Sequence, residues 1–159
     1  MHIEVDDLTR PEVTALLQVH LEAAALDSPP ESVHALDLDG LKAPDVTFWT
    51  AWEGAQLLGC GALKELSGFE GEVKSMHTAE AMRGRGVARR LLEHILAEAR
   101  RRSYRCLSLE TGSVAAFAPA RALYASFGFE VCPPFADYRL DPYSVFMTLE
   151  LEPAPFTGM

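Results

Sequence analysis

The 159 residues contain no run of 18 apolar side chains, the length that a membrane-crossing helix requires. The opening MHIEVDDLTR carries acids where a signal peptide needs a basic stretch followed by an apolar one. A soluble, cytoplasmic protein is expected. Cysteine is scarce: Cys60, Cys106 and Cys132 are an odd count without C-x-x-C spacing, in apolar, strand-like surroundings, so reduced thiols are expected in place of a disulfide framework. The five His do not pair with Cys at ligand spacings, so no metal site is expected. Cations are outnumbered, 14 Lys and Arg against 23 Asp and Glu, and the net charge of −9 argues against a nucleic-acid or membrane-surface partner. Internal repeats and low-complexity tracts are also missing. What remains, 48% hydrophobic and 23% charged residues, is the composition of one folded domain. That domain is expected over residues 1–151, with 152–159 (EPAPFTGM) a frayed tail.

The few cations are unevenly placed. Residues 83–105 hold eight Arg against Glu93 and Glu98, a net +6 that leaves −15 for the rest of the chain. A small anionic ligand at this segment would account for the contrast, although the cluster Arg100 to Arg102 is equally what a helix C-terminus attracts. Residues 1–80 hold 15 acids against Arg10, Lys42, Lys64 and Lys74, which suits either a cationic ligand or a solvated surface.

Periodicity divides the chain into a mostly extended first half and an alternating second half. His2–Val5 reads as a strand, Thr9 with Glu12 as a capping box opening a helix that runs to about residue 25, and residues 31–40 as room for a second, short helix. Val46–Glu53 and residues 56–66 form an antiparallel hairpin pattern, with a further strand at 72–78. From Gly86 the apolar positions 87, 91, 92, 95, 96 and 99 fall on one stripe of a helix. Strands at 106–110 and 144–151 flank a helix at 119–127 that Gly128 stops. The class is α/β (α+β), a mixed sheet with helices on both faces. Trp49 and Trp52 read as core and sheet-surface residues.

The turn before the helix stripe reads Met82-Arg83-Gly84-Arg85-Gly86-Val87-Ala88-Arg89. Glycines at 84 and 86 permit a tight turn, and the first helical turn leaves about four N–H groups without internal partners, a ready site for an anion such as a pyrophosphate. A P-loop is excluded because no Lys follows either glycine, and a dinucleotide fingerprint because Arg89 stands at its last glycine.

Arg83-x-x-Gly86-x-Ala88 resembles the [RQ]xxGx[GA] signature of the GNAT superfamily of N-acetyltransferases, and Leu123-Tyr124-Ala125-Ser126-Phe127-Gly128-Phe129 is similar to that family's LYxxxGF segment. The element order agrees over nearly the whole chain. The resemblance implies a mixed, mostly antiparallel sheet in which a parallel pair, 72–78 and 106–111, splays apart to admit acetyl-CoA as cosubstrate. It further implies that the backbone at Arg83, Gly84, Arg85, Gly86, Val87, Ala88 and Arg89 holds the pyrophosphate, that Met76, His77 and Thr78 pair with the pantetheine arm, and that Tyr124 serves as acid beside the sulfur. Glu110, His77 or a water relay would be the base, with direct transfer to an amine of a small molecule or peptide. The segment 132–143, with Cys132, Phe135 and Tyr138, is expected to overhang the acceptor or to act as a rigid connector. A covalent acyl-cysteine at Cys132 is disfavoured because no His–Asp partnership is readable around it. One departure stands out: many relatives carry an Asn before the Leu-Tyr pair, where this chain reads Phe117-Ala118-Pro119-Ala120-Arg121. The alternatives are a catalytically silent acyl-CoA sensor and, on the glycines alone, a nucleotide-binding protein. A homodimer would be in keeping with the resemblance.

Overall fold

The computed structural model describes residues 1–26 and 28–152. The tail expected to fray, apart from Glu152, lies outside the described residues. Seven strands form one sheet in the order β1-β2-β3-β4-β5-β7-β6: β1 His2–Val5, β2 Val46–Glu53, β3 Gln56–Ser67, β4 Glu70–Thr78, β5 Cys106–Gly112, β6 Glu130–Val131 and β7 Ser144–Glu150. Every neighbouring pair is antiparallel except β4 with β5. Among the described residues there are four α-helices: α1 Pro11–Leu26, α2 Leu38–Leu41, α3 Val87–Arg101 and α4 Ala118–Ser126. The expected mixed sheet with one parallel pair is present. Among the described residues no helix is long and apolar enough to cross a membrane, and no group of three or more His, Cys, Asp or Glu is gathered to hold a metal ion.

Each face of the sheet has its own core. On one side α3 lays down Val87, Leu91, Leu92, Ile95, Leu96 and Ala99 against Trp49, Leu63, Val73, Leu107 and Leu109, with Tyr124 of α4 in the same cluster. Burying each of the larger side chains in that stripe contributes roughly 1.5–3 kcal/mol, so tertiary packing fixes the helix more than its propensity does. On the other side α1 and α2 pack Val13, Leu16, Leu17 and Leu41 onto Phe48, Trp52 and Cys60. Trp52 is therefore buried, not at the surface; its indole N–H donates to the Thr50 hydroxyl at 2.7 Å and Arg10 lies over its ring.

Local differences from expectation have local causes. The Thr9 hydroxyl donates to Asp7, and the Arg10 carbonyl accepts the first amides of α1, so the capping box does not form. The segment after the Pro29-Pro30 break holds a 3₁₀ turn, Pro30–Ser32, before α2. The two-residue β6 is too short for a periodic signal.

Gly71 sits where β4 and β5 meet, and a methyl group there would fall 2.8 Å from the Tyr104 ring and 2.9 Å from Leu63, both buried. Gly71→Ala is expected to lower the denaturant midpoint by about 1–3 kcal/mol of stability at unchanged slope, measured by urea unfolding.

Candidate functional site

β4 and β5 pair only at Glu70 with Cys106, Gly71 with Leu107 and Glu72 with Ser108. Beyond that point β5 stays with β7 through Gly112, β4 stays with β3 through Thr78, and the two strands diverge. An extra residue in β4 takes part in the divergence. Cys60 faces His77 while Ala62 faces Lys74, and Ser75 absorbs the excess with a φ of 55°. Before this bulge, Glu72 and Lys74 share one face; after it, Met76 packs over Gly61 against Ile95 on the α3 side and His77 turns to α1. Ser75 thus drops out of the simple alternation, and its buried hydroxyl has no hydrogen-bond partner.

Three cavities run in series through the opening. The first, about 760 Å³, lies between α1, the end of β4, the glycine turn and α4; His20, His77, Arg83, Gly86, Arg89 and Tyr124 are among its walls. It shares His20, Met76, Phe117 and Tyr124 with a central chamber of about 140 Å³, where Glu110 of β5 also lies. The chamber in turn shares His34, Glu72 and Lys74 with an outer groove of about 840 Å³.

Gly84 and Gly86 both have φ of 78°, and nothing lies within 4 Å of where a Cβ would sit. The glycines therefore serve conformation, not clearance. The first hydrogen bond of α3 is from the Arg90 amide to the Gly86 carbonyl. Among the described residues the amides from Gly84 to Arg89 donate to no protein acceptor and form a nest of N–H groups at the positive end of a 15-residue helix. Arg83 lines the adjoining cavity. The Arg89 guanidinium reaches α4, donating to the Ser126 hydroxyl at 3.1 Å over the Phe127 ring. Arg85 is exposed and is not among the residues lining the cavity.

Titratable groups crowd the chamber. Burial pushes the Tyr124 phenol up to about 12, with the Glu110 charge adding to the rise, so this hydroxyl stays protonated through the physiological range. Burial also raises Glu110, against the opposing pull of Ser144, His34 and Lys74. His20 and His77 meet Nδ1 to Nδ1 at 3.0 Å with their rings edge-on. Burial, then the charge of His77, lowers His20 to about 4; burial, then Arg83, lowers His77.

At the chamber's outer end the buried Glu72 carboxylate accepts from Lys74 Nζ at 3.2 Å and from the Tyr138 hydroxyl at 2.5 Å, while Lys74 also donates to that hydroxyl at 2.9 Å. Phe135 supports Tyr138 from behind, stacked against it and Phe146. Cys132 lies apart: it lines none of the three cavities, and its amide extends the β6–β7 pairing to the Phe146 carbonyl. Of the three residues read as acceptor contacts in the segment 132–143, Tyr138 alone lines the groove. Glu72, Lys74, His34 and His20 were missed by sequence reasoning. A readable signal existed for the first two, since charged residues at alternate positions of a strand next to Glu110 must share its face.

Comparison with known proteins follows the same lines. Residues 11–129 match the model of the acetyltransferase (GNAT) family. The chain is 58% identical over 151 residues to an uncharacterized N-acetyltransferase, YsnE, of Bacillus subtilis (strain 168), covering 95% of this chain and 100% of that protein. It is 53% identical over 149 residues to another, YedL, of Escherichia coli (strain K12), covering 94% of each. Among solved structures, a GNAT family acetyltransferase from Elizabethkingia anophelis with acetyl-CoA bound superposes with a TM-score of 0.68 at 19% identity, covering 94% of this chain and 97% of that one.

The depressed His20 couples the site to stability. Its folded value near 4 lies below its unfolded value near 6.5, so its contribution is present above pH 6.5 and is lost as pH falls through 4. Unfolding free energy measured between pH 7 and 4 is expected to fall in the wild type by about 3 kcal/mol from this group, and by correspondingly less in His20→Asn.

Proposed function

The chain belongs to the GNAT acetyltransferase family and is an acyltransferase with acetyl-CoA as cosubstrate, and we propose that it transfers the acetyl group to a primary amine of a small molecule or peptide by direct attack in a ternary complex. The observation that carries this reading is the continuity of the three cavities, with Tyr124 shared by the first two and Glu110 beside it. Coenzyme and acceptor can meet in the chamber without either leaving its own compartment.

In this reading the free amides from Gly84 to Arg89 and the helix dipole take the pyrophosphate, helped by Arg83 and Arg89. The unpaired edge of β4 at Met76, His77 and Thr78 receives the pantetheine arm as an added strand. The thioester then lies near Met76, in reach of the chamber. The acceptor enters from the outer groove, which seven carboxylates and three cations line. That balance draws in an ammonium.

A protonated amine must lose two protons on its way to an amide, one before it can attack and one after. Glu110 suits the first. It lines the chamber and not the coenzyme cavity, and its carboxyl, raised by burial, is a better base than an exposed one. Tyr124, protonated and bordering both compartments, donates to the departing thiolate. A thiolate is weakly basic as leaving groups go, so this donation assists the reaction without being indispensable.

A silent acyl-CoA sensor would need the coenzyme compartment alone. Calorimetry with acetyl-CoA together with thiol release over a panel of amines separates the two readings: the transferase reading predicts amine-dependent release, and binding with no release for any amine would leave the sensor. Tyr124→Phe is expected to lower kcat by up to about 10²-fold with acetyl-CoA affinity within about twofold. Arg89→Glu is expected to weaken acetyl-CoA about tenfold at low salt, with the deficit shrinking as ionic strength rises.

A further inference from the structure

His20 and His77 come from elements 57 residues apart, α1 and β4, and touch through their inner nitrogens only. Nδ1 to Nδ1 at 3.0 Å requires one proton between two acceptors, so one ring donates and the other accepts. Among the described residues neither outer nitrogen, Nε2, has a protein hydrogen-bond partner. A pair of imidazoles joined inside and open at both ends is the arrangement of a relay. A histidine pair serving only the core would spend its outer nitrogens on protein acceptors.

The compartments give the relay a direction. His20 lines both the central chamber and the coenzyme cavity, whereas His77 lines the coenzyme cavity only. Burial disfavours a charge on either ring, Arg83 opposes one on His77 from the turn after β4, and Cys60 on β3 offers no counter-charge, since burial raises its thiol to about 12. Resting on the transferase reading above, we propose that His20 and His77 form a two-ring relay that carries the second proton of the acceptor nitrogen out of the chamber and into the coenzyme cavity.

The atoms balance as follows. The amine nitrogen attacks the thioester carbonyl carbon, the C–N bond forms, and the C–S bond breaks with its electron pair going to sulfur. The nitrogen's excess proton passes to His20 Nε2. The Nδ1 proton of His20 moves to Nδ1 of His77, and the Nε2 proton of His77 enters the coenzyme cavity, replacing the one the thiolate has drawn from Tyr124. Both rings end neutral with their tautomers exchanged. Water resets them at the two open nitrogens once products leave.

The role differs from that of Glu110, which removes the first proton from an ammonium. An acceptor that is already neutral dispenses with Glu110 but not with the relay. Thiol release is therefore measured at pH 7 with methylamine, an ammonium, and hydroxylamine, a neutral nucleophile, alongside calorimetry with acetyl-CoA. With hydroxylamine, His20→Asn, which keeps a polar group near Nδ1 but cannot take up a proton at one atom and release one from another, is expected to lose about 10²- to 10⁴-fold at an acetyl-CoA affinity within twofold. His77→Asn behaves alike, and the double variant is no slower than the slower single one because the two act as a unit. A His20→Asn rate within threefold of wild type, or losses that multiply in the double variant, overturns the relay. If neither amine is turned over, imidazole nitrogen NMR decides: one N–H shared between the two inner nitrogens in the acetyl-CoA complex is expected, and two independently titrating rings overturn the proposal. Failure of the wild type to bind acetyl-CoA would instead sink the transferase reading on which the relay rests.

Discussion

Everything at the site follows from the brevity of one strand pairing. β5 is committed to β7 at seven successive positions and β4 to β3 along most of its length, so the sheet cannot close between them once their directions differ. Three parallel positions hold the seam at its base, and Gly71 lets Tyr104 and Leu63 pack directly onto it. Above the seam the twist of each half carries its strand away from the other. The extra residue at Ser75 adds to the bend. It also restores the alternation with an offset, which sends His77 toward α1 while Met76 stays above α3. The opened edge of β4 and the chamber beside it are two results of one defect in a sheet.

The same opening explains why polar groups are tolerated inside. α1 and α2 cover β2 and β3 with aliphatic side chains, but they do not extend across β5 and β7. There the exposed half of the sheet carries Glu72, Lys74, Ser108 and Glu110, roofed by the loop holding Tyr138 and by the segment holding Ser32 and His34. A 2.6 Å hydrogen bond from the Ser32 hydroxyl to Asp141 and the edge-on stack of His34 with Tyr138 tie the two roofing segments together. Glu72 and Lys74 are partners in this strip, and a buried carboxylate with two donors, as Glu72 has, is far cheaper to keep than a lone one.

Most of the architecture is legible in the residues. The stripe from Val87 to Ala99, the β-branched and aromatic run of β2 and the left-handed glycines at 84 and 86 each encode a local preference that the tertiary structure respects. Legibility fails where the determinant is non-local. Thr9 had a capping pattern, but Asp7 lay closer to its hydroxyl. Arg85 stood inside the glycine turn yet points outward, because a turn with two left-handed residues swings successive side chains to different sides. His20 sat on a helix with no visible reason to be singled out. Only the approach of α1 to the end of β4 brings it to His77. Cys132 read as part of the acceptor wall, while the pairing of its amide with β7 keeps it in the sheet's plane.

Size separates chemistry from recognition in this site. On the proposed reading a chamber of about 140 Å³ has room for a thioester carbonyl and the reacting end of an amine, and for little else. In that reading the body of any larger acceptor lies in the outer groove, six times as large, and the residues proposed to select an acceptor are not those proposed to move its protons. The buried Glu72, Lys74 and Tyr138 stand at the neck between the two. Their mutual hydrogen bonds fix the width of that neck and leave the ammonium of Lys74 with one donor beyond those it spends on Glu72 and Tyr138. On the transferase reading proposed above, selectivity for the acceptor comes from charge and length in the groove and from passage through the neck, while the proton chemistry in the chamber is common to every amine that reaches it.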